Sequence, residues 1–138
     1  MTHAARLSTT TLSIAAMLLS ASQPARAQKV NFRHYTTAEG LPQSQVHGIQ
    51  QDRFGYMWFA SYGGLTSFNG KEFRSYTKED GLSSNSVLDI AQDGSGGLLI
   101  ATSRGLCVMV NTRFRCFRAS DGLVNDNANS VSPDSHGG

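Results

Sequence analysis

The chain has 138 residues, of which 39% are hydrophobic and 16% charged, and its formal net charge is +2. The excess positive charge comes from Arg6 and Arg26, because residues 28–138 carry ten basic and ten acidic side chains. This part is formally neutral and has no run of Lys and Arg interleaved with aromatic residues. A basic surface that binds the phosphate backbone of a nucleic acid is therefore excluded, and we expect no nucleic-acid partner.

The first 27 residues have the features of a secretory signal peptide. Arg6 supplies the positive start, Leu12 to Leu19 a short apolar segment, and Ala25-Arg26-Ala27 a cleavage site before Gln28. The apolar segment is far shorter than the roughly 20 residues that span a bilayer, which argues against the alternative of a retained membrane anchor. We therefore predict a signal peptide over residues 1–27 and an exported, periplasmic region over 28–138.

A 41-residue repeat occupies the exported region. Eight positions of the first copy recur at the same spacing in a second copy and, with Tyr replaced by Phe, Val by Ala and Ile by Val, in a third: Phe32, Tyr35, Gly40, Leu41, Val46, Ile49, Asp52 and Gly55. The copies extend over about 32–72, 73–113 and, in part, 114–138. A repeat of this length with strand-type sequence is typical of four-stranded propeller blades.

Each copy divides into four short strands. The predicted strands of the first copy are 46–51, 56–60, 65–68 and 72–76, and 97–101 is the second strand of the next copy. The central strands are continuously apolar, as expected where both sheet faces are covered. Asn69-Gly70 is a strong hairpin signal. The fold class is therefore all-β, an incomplete β-propeller of antiparallel meander blades, with no helix expected after residue 27.

The third copy stops before its second strand, so we expect the chain to be the amino-terminal part of a longer protein. Pro133 cannot donate to a strand ladder, and we expect the first strand of this copy to be short. The uncovered sheet faces predict self-association into oligomers or aggregates.

These residues carry a family resemblance. The pattern Phe73-x-x-Tyr76, Gly81-Leu82-x-x-Asn85-x-Val87-x-x-Ile90-x-x-Asp93-x-x-Gly96 and the stretch from Asp52 to Leu65 resemble two-component regulator propeller repeats. Such repeats form the periplasmic sensor regions of hybrid histidine kinases and of some diguanylate cyclases. The resemblance covers 32–138, although the second copy has Leu99 where the first has Trp58. It implies a downstream membrane helix and a signalling module.

Asp and Gly at the ends of each first turn are interpreted as structural. Asp prefers position i and Gly position i+3 of a type I turn, and three equivalent copies argue against a catalytic acid, which is needed only once. The spacing Asp52-x-x-Gly55-x-x-Trp58 also resembles the Asp box of sialidase-like propellers. The turn residues are Asp52, Gly55, Asp93, Gly96, Asp134 and Gly137.

We predict no catalytic residue, metal site or cofactor. The three histidines after residue 27 (His34, His47 and His136) show no metal-type pairing. The polar cluster Asp121, Asn125, Asp126 and Asn127 lacks the spacing of an EF-hand and is interpreted as an inter-blade loop.

Cys107 and Cys116 are the two cysteines of the chain, and export would place them in an oxidising compartment. A turn at Asn111-Thr112 places them directly opposite each other on adjacent strands. A turn at Val110-Asn111 leaves them diagonal, at roughly 7 to 8 Å, which is too far for a disulfide. A disulfide and two buried thiols both remain open.

Ligand contacts are expected from loops, because a rigid frame commonly carries function there. In a meander blade, the loop before the first strand and the turn between the second and third lie at the same end. The residues that differ between copies at this end are candidates for ligand contact: Gln43, Tyr62, Ser84 and Arg104.

The resemblance favours a sensory, ligand-binding propeller of a two-component-type receptor, which receives a periplasmic small molecule or oligosaccharide. We expect this chain itself to have no enzymatic activity. The alternatives are a fragment of a secreted carbohydrate-active enzyme, suggested by the Asp-box-like turns, and a protein-interaction scaffold.

Overall fold

The structure is a computed structural model that describes residues 31–43, 45–134 and 136. The chain divides into two units, Met1–Arg33 and His34–Gly138. In the first unit only residues 31–33 are described; they are exposed and have no regular structure. The predicted signal peptide (residues 1–27) and Gly137 lie outside the described residues. All that follows concerns the second unit.

Two four-stranded antiparallel sheets form the fold, and each is an up-and-down meander in which consecutive strands are neighbours. Blade 1 contains β1 (Val46–Gln51), β2 (Met57–Ser61), β3 (Gly64–Phe68) and β4 (Phe73–Tyr76). Blade 2 contains β5 (Val87–Gln92), β6 (Leu98–Thr102), β7 (Gly105–Val110) and β8 (Arg113–Phe117). The predicted strands are confirmed, with most boundaries differing by one residue.

Each blade has one irregularity, at the same place in its first strand. The register with the second strand shifts between Val46 and Gly48, and again between Val87 and Asp89. His47 and Leu88 are the extra residues at these shifts, because neither is opposite a residue of the second strand. A bulge of this kind bends the strand and redirects the side chains beside it.

Short 3-10 turns precede the blades, so the expectation of no helix was wrong. They span Thr37–Glu39, Lys78–Asp80 and Ala119–Asp121. In the first two, a threonine and an acid three residues later satisfy each other's backbone groups in a capping box. Each turn ends at a glycine with φ near +110°. The described residues contain no helix with the length and apolar character needed to cross a bilayer.

The core lies between the two blades. Alternation along the strands directs Trp58, Leu65 and Tyr76 of blade 1 towards Ile100 and Cys107 of blade 2, and all five are buried. Burial of such side chains supplies most of the stability of a small β domain. This shared core makes the position of one blade depend on the other.

The Asn111-Thr112 alternative is the turn that the structure contains. Both residues have positive φ (50° and 62°), as a two-residue type I′ hairpin requires. Cys107 is then paired directly with Cys116 across β7 and β8, and a disulfide joins them. Cys107 is fully buried in the inter-blade core.

After β8, which includes its first residues, the third copy has no further strand among its described residues. Residues 128–134 nevertheless contact blade 2: the Ala128 amide donates to the Thr102 carbonyl (3.0 Å), and the Val131 amide donates to Asp89 Oδ2 (3.1 Å). The segment therefore lies beside β5, in the manner of a first strand, without forming one.

Candidate functional site

A cavity of about 570 Å³ lies between the two blades. It is at the end of the molecule where β1 turns into β2 and β3 turns into β4, which we call the turn end. The other end, with the turn between β2 and β3, is the loop end. Sequence reasoning placed ligand contacts at the loop end, whereas this cavity lies at the opposite one.

The floor of the cavity is apolar and comes from both blades. Trp58 and Tyr76 are supplied by β2 and β4, and Leu98 and Met109 by β6 and β7. All four are buried, and the two aromatic rings have their centroids 5.9 Å apart. An apolar floor shaped by both blades is the common form of a small-molecule site.

Asp52 holds the Trp58 indole in place. Asp52 Oδ2 accepts a hydrogen bond from Trp58 Nε1 (2.9 Å), while Oδ1 accepts from the amides of Phe54 and Tyr56 (2.9 Å each). This carboxylate accepts from two amides of its own turn and from the Trp58 indole of β2. Its role is therefore to orient the turn and the ring, which leaves it poorly placed to exchange protons with a substrate.

Asp93 is equivalent to Asp52 in blade 2. Its Oδ1 accepts from the Ser95 hydroxyl (2.7 Å) and from the amides of Ser95 and Gly97 (2.8 Å each). The Ser95 hydroxyl is the main cause of the lowered pKa of Asp93. In blade 2, Leu99 occupies the position of Trp58. The side-chain donor to the aspartate is therefore the Ser95 hydroxyl instead of an indole.

The mouth of the cavity carries charge. Glu72 and Arg74 are both exposed and both line the cavity. The Arg74 guanidinium lies 5.0 Å from the centre of the Tyr76 ring, a cation–π contact. Among the described residues, neither charged side chain forms an ion pair.

Exposed apolar side chains line the same cavity. Phe54, Tyr56 and Val110 are 77%, 42% and 52% exposed. Clustered apolar side chains at a concave surface commonly mark a binding site, whereas single ones need no explanation. The cavity therefore combines buried rings, exposed apolar groups, the turn carboxylate of Asp52 and two opposite charges at its mouth.

The loop-end candidates lie in pairs within each blade. Tyr62 is 48% exposed and packs edge-on against His47, with centroids 4.2 Å apart. Exposed Gln43 lies against Gly63, where an added β-carbon would come within 3.2 Å of its side chain. In blade 2, the hydroxyl of Ser84 is buried and hydrogen-bonded to Ser103 (2.9 Å).

Arg104 is exposed beside that serine pair, and its amide donates to Thr102 Oγ1 (3.1 Å). The ligand role of the four candidates stays a prediction. His47 adds a feature that the sequence did not reveal, because its Nε2 is buried without a hydrogen-bond partner.

The acidic loop cluster caps backbone groups. Asp121 Oδ2 accepts from the Arg118 amide, Asp126 Oδ1 from the Ala119 amide, and Asn125 Oδ1 from the Asn127 amide. Within the described ranges no three His, Cys, Asp or Glu side chains converge as metal ligands would.

Comparison with known proteins addresses the repeat directly. The family described as Two component regulator propeller matches residues 40–63 and 81–104, two segments that begin 41 residues apart. Both segments match the two-component regulator propeller repeat. Each matched segment includes the first two strands of a blade and the aspartate turn between them.

The propeller assignment also has a structural counterpart. The solved extracellular domain assigned to a hybrid two component system of B. thetaiotaomicron is similar with a TM-score of 0.70 and 26% identity over 77% of this chain. The chain spans only 15% of the length of that neighbour. A search of curated proteins gives no significant match.

The two-component regulator propeller repeat accounts for part of the cavity and leaves part unexplained. Asp52 and Trp58 fall inside the matched segments, whereas Glu72 and Arg74 fall outside them. The two charges at the mouth therefore lie outside the part of blade 1 that the family describes.

Proposed function

We propose that this propeller region is the ligand-receiving part of a two-component sensor, exported to the periplasm or cell exterior. The repeat family and the extracellular neighbour support this assignment. In the full receptor, a downstream membrane helix and a kinase or cyclase module would pass the signal on. The ligand would be a small molecule, and the chain itself would catalyse no reaction.

The inter-blade cavity is the observation that carries the ligand-binding proposal. Both blades supply its walls, so a ligand seated there contacts Trp58 and Tyr76 on one side and Leu98 and Met109 on the other. Binding would therefore bias the angle between the blades. A change of inter-blade angle is a rigid-body signal that a receptor can transmit.

Location is tested by fusing alkaline phosphatase, which folds only after export, to the carboxyl end of the chain. We expect active enzyme, and none when residues 2–27 are deleted. An inactive intact fusion would contradict the proposal that this region lies outside the cytoplasm. The deletion variant is the matched control that links the activity to residues 2–27, and an immunoblot shows that both fusions are expressed.

Ligand binding is tested by thermal-shift measurements on the chain recovered from the periplasm, with panels of sugars, amino acids and organic acids. We expect saturable stabilisation by at least one compound, weakened by Tyr56→Ala at the cavity and unchanged by Tyr62→Ala at the loop end. The reverse result would move the site to the loop end. No stabilisation by any compound would count against a ligand-receiving role.

A further inference from the structure

We propose that the inter-blade cavity binds a small zwitterion, namely a free α-amino acid with a large apolar side chain. Its ammonium group would pair with Glu72, its carboxylate with Arg74, and its side chain would lie over Leu98 and Met109. This inference rests on the ligand-binding role proposed for the same cavity and adds the chemical class of the ligand.

The two charges are arranged for a ligand that carries both signs. Arg74 lies in β4 and Glu72 immediately precedes that strand, so the two side chains leave the chain only two residues apart. Both line the cavity, and they form no ion pair with each other. A zwitterion placed between them satisfies both charges, while a ligand of one sign satisfies one and meets the other as a like charge.

The floor defines the rest of the ligand. Leu98 and Met109 are buried and apolar, and the partly exposed Tyr56 and Val110 also line the cavity. A volume of about 570 Å³ falls within the roughly 300–1,000 Å³ of small-ligand pockets and accommodates a large side chain. A small polar amino acid such as glycine would leave this apolar surface uncovered.

Blade 2 provides an internal comparison. The residues equivalent to Glu72 and Arg74 are Arg113 and Arg115, both cationic. The Arg115 guanidinium lies 5.1 Å from the Phe117 ring, almost as Arg74 lies over Tyr76. The cation on an aromatic ring is therefore a feature of both blades, whereas the neighbouring acid belongs to blade 1 alone.

Trp58 provides the readout, because it is the only tryptophan of the chain and lines the cavity. Its fluorescence is followed while the full chain is titrated with L-leucine and L-phenylalanine. We expect a saturable change with both. Phenethylamine lacks the carboxylate and 3-phenylpropionate lacks the ammonium group, so each should bind at least about tenfold more weakly than L-phenylalanine.

Variants assign the two charges. Glu72→Gln and Arg74→Met change exposed side chains, and an unchanged circular dichroism spectrum would show that they fold. Each should weaken L-phenylalanine binding by at least about tenfold, with Arg115→Met as the matched control that keeps wild-type affinity. Equal loss in Arg115→Met would overturn the assignment to this cavity.

The zwitterion inference and the ligand-receiving role fail in different ways. Saturable binding of glucose or of 3-phenylpropionate, together with no response to either amino acid, would overturn the zwitterion proposal. The ligand-binding role of the cavity would remain. Binding of L-phenylalanine that survives both Glu72→Gln and Arg74→Met would also overturn it. No fluorescence or thermal response to any probe would overturn both.

Discussion

The carboxylate of Asp89 accepts a hydrogen bond from the hydroxyl of Ser130, which is 41 residues further along the chain (2.8 Å). The two residues occupy the same position of successive repeats, and Gly48 occupies that position in the first copy. An added β-carbon at Gly48 would come 3.2 Å from Asp89 Oδ1. Glycine, aspartate and serine therefore form a column that links the first strands of successive copies.

Asp89→Ala is expected to loosen the third copy from blade 2. The change removes acceptors for the Ser130 hydroxyl and the Val131 amide, and hydrogen bonds to charged groups contribute about 1.5–3 kcal/mol each when well formed. Because this site is partly exposed, we expect a total loss of about 1–3 kcal/mol in urea unfolding. Hydrogen exchange at the Val131 amide should accelerate.

The control for Asp89→Ala is Glu79→Ala, which removes another carboxylate from an exposed position. It should change the unfolding free energy by less than about 0.5 kcal/mol. An Asp89→Ala protein with unaltered Val131 exchange would show that the contact does not hold the third copy in solution.

Acid is expected to destabilise the protein through Asp89 and Asp93. Partial burial raises the pKa of Asp89, but the hydrogen bonds from Ser130, Val131 and Ile90 outweigh it and leave the pKa below its ordinary 3.8. The Ser95 hydroxyl is the main cause of the lowered pKa of Asp93. A folded-state pKa below the unfolded one means that the unfolded chain binds protons first.

The contribution of these two aspartates is therefore fully present above pH 3.8 and is lost as the pH falls through their lower folded-state pKa values. Unfolding free energies measured by urea from neutral pH into this acid range should fall. The Asp89→Asn/Asp93→Asn double variant should show a shallower fall, and an identical pH profile would contradict this origin.

Gly64→Ala and Gly105→Ala are expected to be among the most damaging single substitutions. Both glycines have φ near +122°, and an added β-carbon would overlap the backbone carbonyl of Tyr76 or Phe117. Strain in this region costs about 1–3 kcal/mol, and the displaced strand adds to it, so we expect a loss of at least about 2 kcal/mol. Thermal unfolding measures this loss.

Gly55→Ala and Gly70→Ala are the matched controls. Their φ values are also positive, +88° and +95°, but nothing lies within 4 Å of an added β-carbon. They should cost about 1 kcal/mol, the conformational part alone. Equal losses at all four positions would show that the close approach of the carbonyl is unimportant.

Reduction of the Cys107–Cys116 disulfide is expected to destabilise the protein by about 2–3 kcal/mol, because the bond closes a short loop of the unfolded chain. Intact mass should reveal two hydrogen atoms fewer in protein isolated from the periplasm than after reduction. A Cys107→Ala/Cys116→Ala variant should unfold at a lower temperature and become insensitive to reductant. A wild-type protein equally stable with and without reductant would contradict this contribution.

The sequence predicts the strands well because each lies between strong local signals. Asp52 and Gly55 mark one turn, and Asn69-Gly70 marks another, so boundaries are correct within about a residue. The 3-10 turns were missed, although threonine followed three residues later by an acid is a legible capping signature at Thr36 and Thr77. The β7–β8 turn stayed ambiguous because two registers differ by one residue and local propensity does not separate them.

The cavity could not be predicted in the same way. Its walls come from two sheets, and the space between them depends on how far the blades separate, which no strand pattern specifies. The signal that could have indicated it is the difference between equivalent positions: Trp58 against Leu99 and Glu72 against Arg113. The loop-end residues were chosen by the same criterion, but in Ser84 the differing side chain is buried against Ser103.

The aromatic contacts across the blades repeat with the sequence. Tyr35 packs edge-on against Phe73 with centroids 5.6 Å apart, and Tyr76 packs in the same way against Phe114 at 5.7 Å. The tyrosine that precedes one blade thus packs against the phenylalanine in the last strand of that blade, and the same pair recurs one repeat later. Tandem duplication of a 41-residue segment would create a new blade whose neighbours fit at once, so such genes can gain blades without evolving a new interface.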